Sequence, residues 1–292
     1  MTASTYLHDT DLTYFWLGPL GYLQQLPLLP VKGNTDASEA LIGALRTSLA
    51  GGATLDVFGH KRSWVLDWVC LTQAETAAAH AWFQGLTTAA LRIIDPRAGN
   101  WLTRDGAAGG AYHRDTRAHT LTAGSGSVSF TTVADYPSAL QAMLNGGITW
   151  NVPNATTATL RIDDTTRIPL IPGQPITVQV WLAGSGNAQV GAQFYDVSGA
   201  AAGTAVGSLT AVGSWGPVVA TFTPTTGQVA ASLQVVAASG AGRVLTVGPA
   251  TWHPTNTDWV PGTGCPEVLV VDRKITYPGL ANQDTGITLR EV

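Results

Sequence analysis

The sequence predicts a mostly β protein that combines a small β-domain, with one short helix, and a β-sandwich. Only 12% of the residues are charged, whereas glycine occurs 33 times and proline 16 times. This composition favours short strands joined by turns over helical bundles. Segments of alternating side-chain character recur along the chain and are separated by turn dipeptides such as Pro172-Gly173 and Ser198-Gly199. A length of 292 residues suits two domains of ordinary size.

The first element with a clear pattern is a strand over residues 62–71. Apolar residues occupy every second position there, which predicts a half-buried strand with one aromatic-rich face, formed by Trp64, Leu66, Trp68 and Cys70. A core sheet therefore starts in this segment.

A helix follows that strand. Thr72 precedes Glu75 by three positions, which is the signature of a capping box and predicts a helix beginning at about Gln73. Gly85 suits the left-handed conformation that ends a helix. The next strand, Leu91–Ile94, is stopped by a proline at position 96.

In this order, the elements resemble the N-terminal module of siphophage distal tail proteins. The resemblance covers roughly the first hundred residues and the closing strand ITLREV, and it depends on Arg62, Trp64, Leu71, Phe83, Asp95, Pro96 and Asn100. It implies a structural protein of the virion that is assembled in the host cytoplasm. It also implies a ring at the tail tip, usually a hexamer, that joins the tail tube to the adsorption apparatus and contacts the tail tube, tape measure and tail hub.

The middle of the chain predicts a β-sandwich. Eight short segments with strand character lie between residues 127 and 253, at the spacing typical of two packed sheets. Four stretches, IPLIPGQPITVQVWLAG, QFYDVSG, SWGPVVATFTP and VLTVGPATWHP, resemble the jelly-roll modules of carbohydrate-binding, galactose-binding-like proteins. The resemblance implies a jelly-roll fold and, less specifically, contact with host-surface glycans.

We therefore predict a discontinuous outer β-domain, residues 1–105 and 263–292, a connecting segment, residues 106–129, and an inserted jelly roll, residues 130–262. The closing segment EVLVVDRKITYPG…GITLREV would complete the outer sheet. Had it packed on the sandwich instead, the two domains would be serial.

Two groups of aromatic residues are candidates for binding. Sugars stack on exposed aromatic rings, which makes the sandwich aromatics candidate glycan contacts: Trp150, Trp181, Tyr195, Trp215 and Trp252. In the outer domain, Tyr14, Phe15 and Trp16 are candidate anchors of an oligomer interface. For both groups the alternative is burial in a core, which also requires large rings.

The sequence gives no reason to expect catalysis or a cofactor. Its six histidines are scattered, and neither a GxSxG motif nor a phosphate-binding glycine loop occurs. The resemblance to carbohydrate-binding jelly rolls implies that Asp163, Asp164 or Asp196 could supply oxygen ligands to a structural calcium ion, but we expect turn residues here and no cofactor. The two cysteines, Cys70 and Cys265, are expected to be buried and reduced.

Charge and hydropathy exclude further classes of partner. The net charge is −4 and the 15 basic residues are dispersed, so that nucleic acid is not expected as a partner. Glycines and prolines interrupt the apolar stretch from Tyr14 to Leu29, and no positive region precedes it. We therefore expect neither a signal peptide nor membrane insertion.

Overall fold

The computed structural model describes residues 14–26, 35–47, 53–87, 89–133, 135–141, 143–153, 157–255, 258–277 and 283–292. These residues form two compact units. The platform unit comprises residues 14–93 and 266–292, and the sandwich unit comprises residues 94–265. Residues 1–13 of the predicted outer domain lie outside the described part. The platform unit is thus built from two separated stretches of sequence.

The first elements along the chain are β1 (Trp16–Gly18), β2 (Gln24–Gln25), β3 (Thr35–Thr47), β4 (Ala53–Leu71), α1 (Gln73–Phe83) and β5 (Leu91–Ile94). The middle of the chain contains α2 (Arg104–Ala107), β6 (His119–Leu121), β7 (Ser127–Thr132), α3 (Ser138–Gln141), β8 (Gly146–Val152), β9 (Ala158–Ile162), β10 (Ile168–Pro169), β11 (Ile176–Gly184), β12 (Gly186–Tyr195), β13 (Ala201–Val206), β14 (Thr210–Val212), β15 (Gly216–Phe222), β16 (Ala230–Ala237) and β17 (Arg243–His253). The last elements are β18 (Glu267–Thr276) and β19 (Gln283–Glu291).

One sheet organises the platform unit, in the order β2-β1-β5-β18-β19-β4-β3. The closing strand β19 pairs with β4, so that Leu289 lies opposite Trp64 and Ile287 opposite Leu66. The alternating residues of β4 face a core that α1 covers, and this core includes Phe15, Leu17, Trp64, Leu66, Trp68, Ala79, Ile287 and Leu289. The two outer segments therefore share one sheet and one core.

The helix begins where the capping box predicts. Thr72 accepts a hydrogen bond from the Glu75 amide, and the Glu75 carboxylate accepts one from the Thr72 amide at 2.7 Å. Gly85 follows the helix with a φ of 68°, a left-handed conformation that glycine adopts without steric cost.

The sandwich unit is a jelly roll. One sheet has the order β15-β11-β17-β8-β7, and the other has β13-β12-β16-β9-β6 with β10 and β14 on its side. The chain crosses between the sheets at β6 to β7, β8 to β9, β10 to β11, β11 to β12, β14 to β15, β15 to β16 and β16 to β17. Strands that are distant in the sequence therefore pair side by side, as β17 does between β11 and β8. The side chains between the sheets are almost fully buried and include Ile148, Trp150, Leu160, Val178, Val190, Leu233, Leu245 and Trp252. The prediction of a mostly β fold with one jelly roll is confirmed.

The segment 106–129, which we predicted to be a connection, contributes strands to both sheets. β6 pairs with β9, and β7 pairs with β8. Gly109 and Gly110 have φ values of 59° and 76°, and a Cβ at Gly109 would lie 2.7 Å from the Gly248 carbonyl oxygen. These glycines therefore serve close packing rather than flexibility.

Candidate functional surfaces

In the platform unit, an ion pair joins Arg62 on β4 to Glu291, the last residue of β19. The Arg62 Nε atom lies 3.1 Å from the Glu291 carboxylate, which also accepts the Arg62 amide at 2.9 Å. The guanidinium lies over the Trp64 ring, 5.2 Å from its centroid. The pattern of a basic residue two positions before an aromatic residue thus fixes the register of the closing strand on β4.

The hairpin of β3 and β4 extends beyond the rest of the sheet. β19 pairs with β4 only over Ser63–Leu71, whereas β3 pairs with β4 from Ala53 to Leu66. Residues 53–61 of β4 therefore have β3 as their one strand neighbour among the described residues. At about 3.3 Å per residue, this ribbon projects by about 30 Å. Its outer strand, β3, is an edge of the sheet.

The predicted interface aromatics divide between the core and the surface of the platform unit. Phe15 is 2% exposed and packs in the platform core, which excludes it as an interface anchor. Tyr14 and Trp16 are half-buried. Their remaining exposed surface stays available for contacts with another chain.

Three of the five predicted glycan contacts are buried. Trp150 and Trp252 have no exposed surface, and Tyr195 is 5% exposed. The Trp150 indole donates to the Ser125 carbonyl at 2.7 Å, and the Trp252 ring packs edge-on against Phe222. A sugar cannot reach these rings, and the prediction that they bind glycans is corrected. Their side chains are buried inside the jelly roll instead.

The other two tryptophans are half-buried and lie in one cluster of the sandwich unit. Trp181 and Trp215 both pack against a group of side chains that includes Tyr136. The rings of Trp215 and Tyr136 lie 4.5 Å apart, and the Trp215 indole donates to Asp135 at 3.1 Å. The exposed Asp135 carboxylate thus lies beside an aromatic surface. We call Asp135, Trp181 and Trp215 the Trp215 surface.

Tyr195 has a structural role in a polar network on the other sheet. Its hydroxyl donates to Asp164, which also accepts from Ser232 at 3.1 Å and forms an ion pair with Arg161 at 3.5 Å. The Arg167 guanidinium lies 3.9 Å from the centroid of the Tyr195 ring. Burial and the neighbouring carboxylate raise the pKa of Tyr195. These groups use one another as partners and hold β9, β12 and β16 together.

The Asp95, Pro96 and Asn100 turn belongs to the sandwich unit, although the sequence assigned it to the outer domain. The buried Asn100 amide donates to the Ala250 and Val260 carbonyls at 2.9 and 3.0 Å. Its carbonyl accepts the backbone amides of Leu102 and Trp252 at 3.2 and 3.1 Å. The asparagine therefore satisfies four backbone groups, which explains why an amide stands at this position.

The candidate calcium ligands do not form a metal site in the described chain. Within it, no group of three or more histidine, cysteine, aspartate or glutamate side chains comes together. Asp163 accepts two hydrogen bonds from Thr103, Asp164 belongs to the Tyr195 network, and Asp196 caps its own turn. Cys265 is a buried thiol, and the side chain of Cys70 lies outside the described part. No helix in the described ranges is long and apolar enough to cross a membrane.

Comparison with known proteins finds similar structures but no family. No family model matches the chain, and no curated protein matches it. The enzymatically active domain of bacteriophage CBA120 tailspike protein 4 is similar with a TM-score of 0.43 and 19% identity over 53% of this chain and 21% of that domain. TmCBM61 in complex with β-1,4-galactotriose has a TM-score of 0.37 and 11% identity, over 53% of this chain and 98% of that chain. The xylan-binding domain from CBM 22 has a TM-score of 0.38 and 16% identity, over 56% of this chain and 99% of that chain. The chain spans about a fifth of the tailspike domain. At such scores and identities, none of these proteins assigns a function to this chain.

Sequence reasoning missed Asp135, which belongs to the Trp215 surface, and Tyr136, whose buried ring packs beneath Trp215. They stand in the stretch VADYPSALQAM, which has no strand period and was not interpreted. The Asp-Tyr-Pro order before a short helix was the available signal, because a proline at this position ends one element and begins another.

Proposed function

We propose that the protein is a non-enzymatic structural component of a phage tail tip, whose platform unit associates with copies of itself in a ring. The observation that carries this proposal is the β3–β4 ribbon. An isolated two-stranded ribbon is marginally stable in water, and a long free edge strand is a template for pairing with another chain. The phage context comes from the sequence resemblance alone.

The Arg62–Glu291 ion pair supports a platform that is rigid enough for assembly. It lies next to Ser63, the first residue of β4 that pairs with β19. The ribbon residues 53–61 come immediately before Arg62 on the same strand. A ribbon that is anchored in this way presents its edge in a fixed direction relative to the platform sheet, which lowers the entropy lost on association.

Measurement of the oligomer tests the proposal. Native mass spectrometry and negative-stain electron microscopy of the full chain should show a closed ring, with a mass that is a multiple of the 30.4 kDa chain. A shortened variant replaces residues 42–59 by Asn-Gly, which joins the paired residues Leu41 and His60 through a two-residue turn. This variant should retain the platform sheet and remain monomeric. A monomeric wild-type protein, or a shortened variant that still forms rings, would refute the role of the ribbon.

A second candidate function is glycan binding through the Trp215 surface, and it does not require a ring. An aromatic face with an adjacent carboxylate matches the two features that sugars offer, an apolar C–H face and hydroxyl donors. A glycan array with the full chain should give signals that Trp215→Ala and Asp135→Ala both abolish, whereas Tyr22→Ala, a change of an exposed aromatic residue of the platform unit, should leave them intact. Silence on the array, or signals unchanged in the Trp215 variant, would exclude this surface.

A further inference from the structure

The platform unit contains a pocket that neither proposal uses. It has a volume of about 420 Å³ and lies against α1, β18 and the start of β19. Leu86, Ile275 and Tyr277 give it apolar walls, and His80 and Arg273 contribute nitrogen donors. Pockets of about 300–1,000 Å³ with apolar walls and a few polar groups are typical of ligand sites.

Arg273 brings an uncompensated positive charge to this pocket. No carboxylate of the described residues forms an ion pair with its guanidinium, and the Asp272 carboxylate accepts only the Arg273 backbone amide, at 2.8 Å. The Arg273 Nε atom is buried without a hydrogen-bond partner. Burial also lowers the pKa of Arg273, although a guanidinium stays charged at neutral pH. An anion in the pocket would supply the opposite charge that the guanidinium lacks among the described residues.

His80 adds a second donor beside the guanidinium. The Arg273 Nη1 atom forms a hydrogen bond with the His80 Nδ1 atom. Because a guanidinium only donates, Nδ1 accepts this bond and the ring proton resides on Nε2. His80 is thereby fixed as a donor at its other nitrogen. Arg273 and His80 together favour an acceptor-rich group such as a carboxylate.

The rim of the pocket indicates a macromolecular partner rather than a small ion. Leu86 is 72% exposed and Tyr277 is 73% exposed, and both line the pocket. A small carboxylate would leave these side chains in water, whereas a peptide with apolar residues beside its carboxylate would cover them. The pocket therefore has charge complementarity for one part of such a peptide and apolar surface for the other.

We propose that this pocket binds an acidic peptide segment of a partner protein, with a carboxylate on Arg273 and flanking apolar side chains on Leu86 and Tyr277. The probe is a rhodamine-labelled peptide, Leu-Glu-Leu-Glu-Leu, blocked at both ends and titrated with the full chain by fluorescence anisotropy. It should bind, and the same peptide with glutamine in place of glutamate should bind at least tenfold more weakly. Failure of the acidic peptide to bind at millimolar protein, or equal binding of both peptides, would overturn the proposal.

Variants assign the binding to the pocket. Arg273→Met keeps the apolar stem and should weaken binding at least tenfold, whereas Arg290→Met changes an exposed arginine that does not line the pocket and should leave it unchanged. Leu86→Glu and Leu86→Lys alter an exposed position, so that the fold is preserved, and should weaken and strengthen binding respectively. Unchanged binding in Arg273→Met and Leu86→Glu would overturn the assignment. Binding of hexanoate, followed by ligand-detected NMR, without binding of the peptide would identify a small-molecule site instead.

Discussion

The buried side chain of His119 makes the free energy of unfolding of the sandwich unit depend on pH. The side chain lies on β6, is 5% exposed, and neither ring nitrogen has a hydrogen-bond partner among the described residues. Burial lowers the pKa of His119 from 6.5 to about 4. The perturbation is His119→Leu, which introduces an apolar side chain of similar size and removes the titrating group.

The sign of the effect follows from which state binds the proton. Between pH 6.5 and 4, the unfolded chain binds a proton at position 119 and the folded chain does not, so that the free energy of unfolding falls as the pH falls. A difference of about 2.5 pKa units corresponds to about 3 kcal/mol over the whole window. Above pH 7 the contribution of His119 no longer depends on pH.

The carboxyl group of Asp163, which lies close to His119 in the fold, changes the free energy of unfolding with pH in the opposite direction. The Asp163 amide donates to the Ala118 carbonyl at 2.8 Å, and burial raises the pKa of its carboxyl from 3.8 to about 6. From pH 3.8 to 6 the folded chain binds more protons at this group, so that stability falls as the pH rises, by about 3 kcal/mol in total. The two slopes nearly cancel in the wild-type protein between pH 4 and 6.

The variants should separate the two slopes. His119→Leu should become less stable as the pH rises from 4 to 6, and Asp163→Asn, which tolerates the left-handed φ of 58°, should become more stable from pH 4 to 6.5. Hydrogen exchange of peptides from β9 and β16, measured by mass spectrometry across urea concentrations, reports the sandwich unit alone. A His119→Leu profile parallel to that of the wild type would refute the reasoning, because it would mean that His119 titrates equally in both states.

Three further substitutions test the packing. Trp150→Phe should lower the free energy of unfolding by about 1–3 kcal/mol in a urea titration, because the buried Ser125 carbonyl loses its hydrogen-bond donor. An unchanged free energy of unfolding would show that water replaces the indole as the donor. Asn100→Ala should cost more than Trp150→Phe in the same titration, since four backbone groups lose their partner, and an equal or smaller loss would contradict the assigned bonds. Thr72→Ala should lower the stability of the platform unit by about 1 kcal/mol through loss of the N-cap, as measured by hydrogen exchange of α1 peptides, and Thr87→Ala, outside the helix, is the matched control.

The sequence predicted the elements whose pattern is local. The capping box of Thr72 and Glu75 and the alternation of Trp64, Leu66 and Trp68 depend on neighbours within a few positions, and both are confirmed. The strands of the jelly roll with alternating apolar residues were recognised for the same reason. The sequence did not predict β13 and β14, which have the sequences AAGTAV and TAV, because small side chains produce no hydrophobic periodicity.

The sequence could not predict which aromatic side chains remain exposed. Trp150 and Trp181 both occupy alternating strands, and the face that each presents depends on which neighbouring strand covers it. In β11 the residues Val180 and Leu182 face the core, which turns Trp181 to the opposite face, whereas Trp150 shares the inner face with Ile148. The phase of the alternation, rather than the residue type, therefore decides between a core position and a surface position.

The discontinuous platform depends on the chain between its two parts. β5 and β18 pair through Leu91 and Val268, so that residues 94–265 leave the platform and return at adjacent positions. Closing a disordered loop of this length costs about 5 kcal/mol of chain entropy, by the logarithmic dependence on length. A folded sandwich unit has lost that entropy already, and the platform residues on either side of it, Ile93 and Pro266, are joined by a hydrogen bond of 3.2 Å. We therefore expect substitutions in the jelly-roll core to weaken the platform sheet as well, because an unfolded sandwich would restore the entropic cost of joining β4 to β19.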